Sequence, residues 1–172
     1  MSSMKDIRIE KVTLNIGAGK NQERLDKAFS LLKTITEKEP VRTTTQKRIN
    51  AWGLRPGLPI GCKVTLRKKD ATDVLKRLVE AKEFLLNESN YDLNGNIAFG
   101  LNEYIDIPGM KYLPDIGAMG LQVCVTLARP GFRVKYRKIQ KRKIPKQHKI
   151  SKEEAIKYMS DEFKIKIRGK EQ

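Results

Sequence analysis

The sequence predicts an α+β fold, a largely antiparallel sheet with helices packed on one face, extended by a projecting hairpin loop and a basic C-terminal arm. Three observations lead there. Short segments such as Leu121-Gln-Val-Cys-Val-Thr-Leu127 alternate apolar and polar residues with the period of a half-buried strand. Longer segments between them repeat apolar residues at helical spacing. The connections are short and rich in turn formers, as hairpin-linked strands require, so the sheet is antiparallel and one of its faces is open to a partner.

In chain order, Val12, Leu14 and Ile16 share one face of a first strand over residues 11–16, and Gly17-Ala-Gly-Lys20 follows as a turn. Asn21 can cap a helix that runs to about Lys38, with Leu25, Ala28, Phe29, Leu32 and Ile35 on its apolar stripe. Pro40 stops it. Residues 41–46 are Thr-rich and alternating, hence a strand. Ile60, Cys62, Val64 and Leu66 alternate on the return strand. Asp70 caps a second helix to about Asn87, striped by Val74, Leu75, Leu78, Val79 and Leu85.

Asn94-Gly95 marks a turn before a strand near 97–101. Tyr104, Ile105 and Ile107 suggest a further extended piece before Pro108, and residues 109–120 form a Pro/Gly-punctuated loop. After the strand at 121–127, residues 129–150 read as an extended basic arm. Ser151 and Glu154 form a capping box for a last helix, about 151–164, that docks Ile156, Met159 and Phe163. The whole chain, 1–172, reads as a single α+β domain with this arm and helix attached.

Charge narrows the function. The chain carries 36 Lys and Arg against 20 Asp and Glu, a net +16, with a sequence pI of 9.9. The excess is concentrated in two acid-free windows, residues 40–69 and 116–152, which hold 19 of the 36 basic residues. A solvated basic surface would mix its signs, so two one-signed surfaces on a near-neutral scaffold point to a polyanion, nucleic acid before an anionic membrane. No amphipathic helix combines an apolar with a basic face, which argues against membrane-surface binding.

The chemistry of catalysis is missing. Two cysteines without a CxxC and a single histidine, His148, draw no zinc site, and neither a metal nor a cofactor is expected. Both cysteines lie on strand patterns and read as buried or half-buried free thiols, as in a reducing cytosol. No apolar run approaches 18 residues and no signal-peptide core opens the chain, so an intracellular protein is expected. Gly17–Lys20 invites a nucleotide-loop reading, but Leu14 and Asn21 break a Walker loop and Gln22 breaks a dinucleotide fingerprint. The turn remains either a phosphate-binding helix entrance or a purely structural bend.

Several motifs, in this order, carry a resemblance that covers nearly the whole chain: Val12-Thr-Leu-Asn-Ile-Gly17, Pro40-Val41 with Gln46-Lys47, Gly57-Leu-Pro-Ile-Gly-Cys-Lys-Val-Thr-Leu-Arg67, and Gly95-Asn96 with Phe99-Gly100. The chain resembles the universal large-subunit ribosomal protein five family. Ala128-Arg-Pro-Gly-Phe132 and His148-Lys-Ile-Ser-Lys-Glu-Glu-Ala155 look like its archaeal and eukaryotic branch. The resemblance implies a structural protein, not an enzyme, in the cytoplasmic large ribosomal subunit. It implies 5S rRNA anchored in the central protuberance, with large-subunit rRNA and other large-subunit proteins as neighbours. It also implies contact with P-site tRNA and a bridge to small-subunit ribosomal protein thirteen.

Carried over by position, the 5S rRNA contacts fall on Asn15, Gln46, Lys47 and Thr65, and the tRNA-facing loop on residues 51–60, with Trp52, Arg55, Pro56 and Gly57 at its tip. Trp52 stands where the family more often has Phe. The bridge falls in the loop at 109–120, with no residue to name. The residues agree: Asn and Gln amides suit RNA base edges and 2′-OH groups, although without the family ordinary exposed strand polarity would be the better explanation of them. In the arm, Arg133, Lys135, Arg137, Lys138, Lys141, Arg142 and Lys143 are the candidate rRNA phosphate contacts. The alternative is a free RNA-binding or RNA-annealing protein outside the ribosome.

Overall fold

The computed structural model of the chain describes residues 4–168. Its regular elements are β1 (Arg8–Gly17), α1 (Gln22–Thr36), β2 (Val41–Thr44), β3 (Pro59–Leu66), α2 (Lys68–Glu80), β4 (Leu85–Asn87), β5 (Ile97–Leu101), β6 (Leu121–Ala128), α3 (Lys152–Phe163) and β7 (Lys166–Arg168). Five strands form one mostly antiparallel sheet in the order β2-β3-β1-β6-β5, and β4 pairs with β7 in a small parallel sheet. The expected α+β architecture is present. The chain divides into two compact units, one made of Thr13–Leu66 with Gly100–Val123, the other of the remaining segments; the division falls within β1, β5 and β6.

In the first unit α1 packs against β3. Leu25, Ala28, Leu31, Leu32 and Ile35 are buried on the helix, Leu14 and Ile16 on β1, and Cys62, Val64 and Leu66 on β3. Each fully buried Leu or Ile contributes about 1.5–3 kcal/mol relative to exposure. Asn21 caps α1 as expected, its side chain accepting from the Arg24 N–H at 3.1 Å. Glu37 ends it in the left-handed region at φ 55°. β2 and β3 pair antiparallel, Val41 opposite Lys63 and Thr43 opposite Gly61. Glycine is required at 61 because a Cβ there would lie 2.8 Å from the Ile16 carbonyl oxygen and 3.0 Å from Thr43 Oγ1.

Two sequence expectations need correction here, one in this unit and one just beyond it on β6. The extended piece at residues 104–107 is a series of turns instead. Tyr104 is fully buried and its hydroxyl accepts the Leu113 N–H at 2.9 Å, so the ring nucleates the 104–119 loop; Ile105 points outward. Cys62 is a buried free thiol, pushed up to about 11 by burial and partly offset by Arg42. Cys124, on the part of β6 that belongs to the second unit, is exposed, because it alternates out of phase with the buried Val123 and Val125.

In the second unit α2 buries Ala71, Val74, Leu75, Leu78 and Val79. It begins at Lys68, with Asp70 in its first turn, and ends at Glu80 rather than near Asn87. Glu83 and Phe84 take φ of 56° and 57°, turning the chain into β4. The reason is tertiary: β7, about 80 residues on in the sequence, pairs with β4, and the Lys166 N–H donates to the Phe84 carbonyl oxygen at 2.8 Å. The capping box is formed, with the Ser151 N–H donating to Glu154 Oε2 (2.9 Å) and the Glu154 N–H to Ser151 Oγ (3.3 Å). The helix docks Ala155, Met159 and Phe163, spaced four apart; Ile156 is only half-buried.

The segment 129–150 is not extended. It folds back through short 3₁₀ turns at Phe132–Lys135 and Lys146–His148. Its two ends are clamped. Arg129, almost wholly buried, donates from Nη1 to the Lys149 carbonyl oxygen (3.2 Å) and from Nη2 to Glu154 Oε1 (2.7 Å). Gly95 lets Ile150 close beneath it, since a Cβ at 95 would lie 2.7 Å from Ile150 Cγ2.

The Ser151 N–H and then the Arg129 guanidinium hold the Glu154 carboxyl below its usual range. A carboxyl depressed on folding stabilises fully above its unfolded pKa, about 4.3, and that contribution is lost as pH falls through the folded value. Glu154→Gln should therefore destabilise by about 1–3 kcal/mol at neutral pH by leaving a buried guanidinium without its counter-charge. Urea unfolding of both proteins at pH 7 and pH 3 tests this. The gap between them should close at the lower pH, and a gap equal at both would show that the charge on Glu154 is irrelevant.

Candidate nucleic-acid interface

Period-two alternation decides what the first unit offers to a ligand. With Leu14, Ile16, Val64 and Leu66 turned inward, Asn15 and Thr65 face away from the helix. Thr65 is exposed and Asn15 half-buried. β3, β1 and β6 are neighbours in the sheet, and Asn15 Nδ2 donates to Gln122 Oε1 at 3.2 Å. The two amides hold one another in place and keep further donors and acceptors for a ligand. Gln122 was missed in the sequence. Its signal was available, since it occupies the polar phase of the strand at 121–127, but a single polar residue in that phase carries no mark of function.

Gln46 and Lys47 are exposed but do not lie on a strand, contrary to the expected strand at 41–46. The pairing of β2 with β3 shifts register between Thr43 and Thr44. Thr45 then closes a local turn, its Oγ1 donating to the Lys47 carbonyl oxygen at 3.0 Å. The Thr45 N–H donates to Leu58 and the Gly57 N–H to Thr45, both at 2.9 Å, so the turn is pinned to the base of the hairpin loop. Gln46 is placed by this turn rather than by a strand ladder.

The loop between β2 and β3 is ordered from within. Leu54 is buried, Ile49 and Leu54 form an isolated bridge, and Asn50–Trp52 makes one 3₁₀ turn ending at Gly53. Around this anchor Arg55, Pro56 and Gly57 are exposed, and Trp52 is 68% exposed. An aromatic residue held outward by a structured turn can stack on a base without first being ordered. The turn at Gly17–Lys20 is tied to β3. The N–H groups of Ala18 and Gly19 both donate to the Ile60 carbonyl oxygen (2.9 and 3.1 Å), so these two donors of the turn are used within the protein.

In the second unit Arg133, Lys135, Lys138, Lys141, Arg142 and Lys143 are exposed. Arg137 is half-buried and donates from Nε to the Gln140 carbonyl oxygen at 2.8 Å. Among the described residues no carboxylate pairs with any of the seven. Charges left without counter-charges are available to phosphates. No cluster of His, Cys, Asp and Glu able to hold a metal occurs among the described residues.

Known proteins match this chain over nearly its full length. Residues 2–55 match the family model described as ribosomal protein L5, and residues 59–158 match the model of the C-terminus of the same ribosomal family. The large ribosomal subunit protein uL5 of Nanoarchaeum equitans is 49% identical over 165 residues, covering 95% of this chain and 97% of that protein. The uL5 proteins of Sulfolobus acidocaldarius (44% over 164 residues, 95% and 92% covered) and Methanobrevibacter smithii (41% over 165 residues, 96% and 97% covered) are similar to it on the same scale. The open polar strand face, the structured loop and the two basic windows are thus borne by a chain that belongs to the ribosomal protein L5 family.

Proposed function

We infer that this chain, like its family of ribosomal proteins, is structural and not catalytic. We propose that this chain is a component of the cytoplasmic large ribosomal subunit, associated with rRNA and neighbouring proteins, and that it anchors 5S rRNA through the strand face carrying Asn15 and Thr65 together with Gln46 and Lys47. The observation that carries this reading is the open face itself. The paired amides of Asn15 and Gln122 present donors and acceptors on a rigid strand base. In the same reading the loop tip at Trp52, Arg55, Pro56 and Gly57 reaches P-site tRNA, and the loop at 109–120 bridges to small-subunit ribosomal protein thirteen. The whole chain acts as one RNA-binding domain, its arm at 129–150 resting on rRNA phosphates through Arg133, Lys135, Arg137, Lys138, Lys141, Arg142 and Lys143.

If about 6–10 phosphates are neutralised, affinity for 5S rRNA should fall by about three to five orders of magnitude between 50 and 200 mM salt. Competition against tRNA across that series tests specificity, and equal affinity for both at every salt would sink the 5S rRNA reading. Asn15→Ala, Gln46→Ala and Thr65→Ala should each weaken 5S rRNA binding by on the order of 1 kcal/mol while thermal stability stays near that of the parent. Early unfolding with normal binding of the folded fraction would mark these as structural residues.

Replacing residues 52–59 by a short Gly/Ser turn should spare 5S rRNA binding. It should weaken P-site tRNA retention in assembled ribosomes by about 1–3 kcal/mol, the worth of one stacked base. Filter binding of tRNA to reconstituted subunits reads this, and loss of 5S rRNA affinity would place the tip within the 5S rRNA platform.

A further inference from the structure

A cavity of about 450 Å³ lies between the folded-back arm and the body of the second unit. Its deeper surface is apolar: Leu127 and Ile150 are buried and Phe132 and Ile144 half-buried. Four lysines, Lys135, Lys143, Lys146 and Lys149, also line it, and all four are exposed, so positive charge gathers at the mouth. No carboxylate is among the lining residues. Two aromatic rings belong to the cavity. Phe132 is held edge-on by His148, with centroids 5.6 Å apart, and His148 Nε2 is bonded to the Pro130 carbonyl oxygen at 2.9 Å. Tyr136 is more than half exposed and carries the Lys135 ammonium 5.4 Å from its ring centroid.

Asn94 and Asn96 complete the lining. Both donate from Nδ2 to Asp92 Oδ2, at 3.4 and 3.3 Å. These bonds, that from Asn96 foremost, hold the Asp92 carboxyl below its ordinary range. An ionised carboxylate only accepts, so it turns both amide NH₂ groups toward itself and leaves both carbonyl oxygens as acceptors. A flat aromatic ligand with an exocyclic amine and flanking negative charge satisfies the rings, the amide oxygens and the lysines together. A bare anion would leave the rings unused, and an acyl chain would leave the amides unpaired.

We propose that this cavity receives one unstacked base of a single-stranded RNA segment, an amino-bearing base, stacked against Phe132 and Tyr136, with its neighbouring phosphates on the lysines at the mouth. The proposal rests on the RNA-binding reading above and adds a nucleotide site to it, separate from the strand face.

The test uses the full chain and a labelled hexa-adenylate. Ile144→Trp fills the cavity without altering any charge. It should lower affinity about tenfold, within the worth of one stacked base, and leave the salt slope unchanged. Ultraviolet crosslinking of the RNA to Tyr136 should disappear with it. Tyr136→Leu, at an exposed position that leaves the core intact, should give a loss of the same order, and thermal unfolding checks that both variants are folded. Hexa-uridylate, which lacks the exocyclic amine, should bind several-fold more weakly than hexa-adenylate.

Parental affinity in both variants at every salt, or equal affinity for the two oligonucleotides, would overturn the proposal. So would displacement of the RNA by AMP or by an acidic peptide at equal concentration, which would make the cavity a site for a free nucleotide or for a protein segment. Binding to 5S rRNA measured on the same variants keeps the two readings apart. Normal 5S rRNA binding with no effect at the cavity sinks only the cavity, and a Tyr136 crosslink without 5S rRNA preference sinks only the 5S rRNA reading.

Discussion

The constraint on which the candidate RNA face depends is the two-residue repeat of its strands. Burying Leu14, Ile16, Val64 and Leu66 beneath α1 leaves Asn15 and Thr65 no direction but outward. A slip of one residue in β1 would bury Asn15 and expose Leu14 and Ile16, at a cost of about 1.5–3 kcal/mol for each large apolar side chain. The outward positions of Asn15 and Thr65 are therefore fixed by the same energy that holds the core together. The hairpin loop depends on that core too. β2 and β3 set its base, Gly61 lets β3 approach Ile16, and Leu54 supplies the local anchor from which Trp52 projects.

The basic arm is organised by a different force. Arg129 brings Lys149 and Glu154 to its guanidinium, and so closes the ends of a segment rich in unpaired cations. Repulsion among those cations favours an extended chain, as in a disordered basic tail. The clamp opposes it through two charge-assisted bonds, the burial of Ile150 against Gly95 and a capped helix α3 that presents Glu154. Folding the arm back against the unit creates the lysine-rimmed cavity. Arg129 belongs by sequence to the basic window, yet its charge is used within the protein, as is that of Lys152 on Glu88, while the cations from Arg133 to Lys149 have no carboxylate partner among the described residues. Position in the fold separates basic residues that composition treats alike.

Two turns show how tertiary contacts reshape a local motif. Gly17–Lys20 has the composition of a phosphate loop, but the Ile60 carbonyl oxygen occupies two of its N–H donors. Asn94–Asn96 has the composition of a plain hairpin turn, but the Asp92 carboxylate orients two amides and the missing Cβ of Gly95 admits Ile150. The first ties its backbone to β3, and the second gains a geometry its sequence does not announce.

Interactions between residues close in the chain were legible in the sequence. The strands at 97–101 and 121–127, the Asn21 cap, the capping box at Ser151 and Glu154, the outward Trp52 and the gathering of basic residues in two windows all follow from periodicity, capping chemistry and charge counts over short windows. The family itself was legible from short motifs in order. What required the tertiary structure were the outcomes set by distant partners. β7 ended α2 early by pairing with β4. The register shift beside Thr44 put Gln46 on a turn instead of a strand. Gln122 joined Asn15 across more than 100 residues of chain, and Arg129 drew the arm closed. A local window holds the propensities of its own residues, but the competing hydrogen-bond partner that decides between two allowed conformations enters only when the chain has folded back on itself.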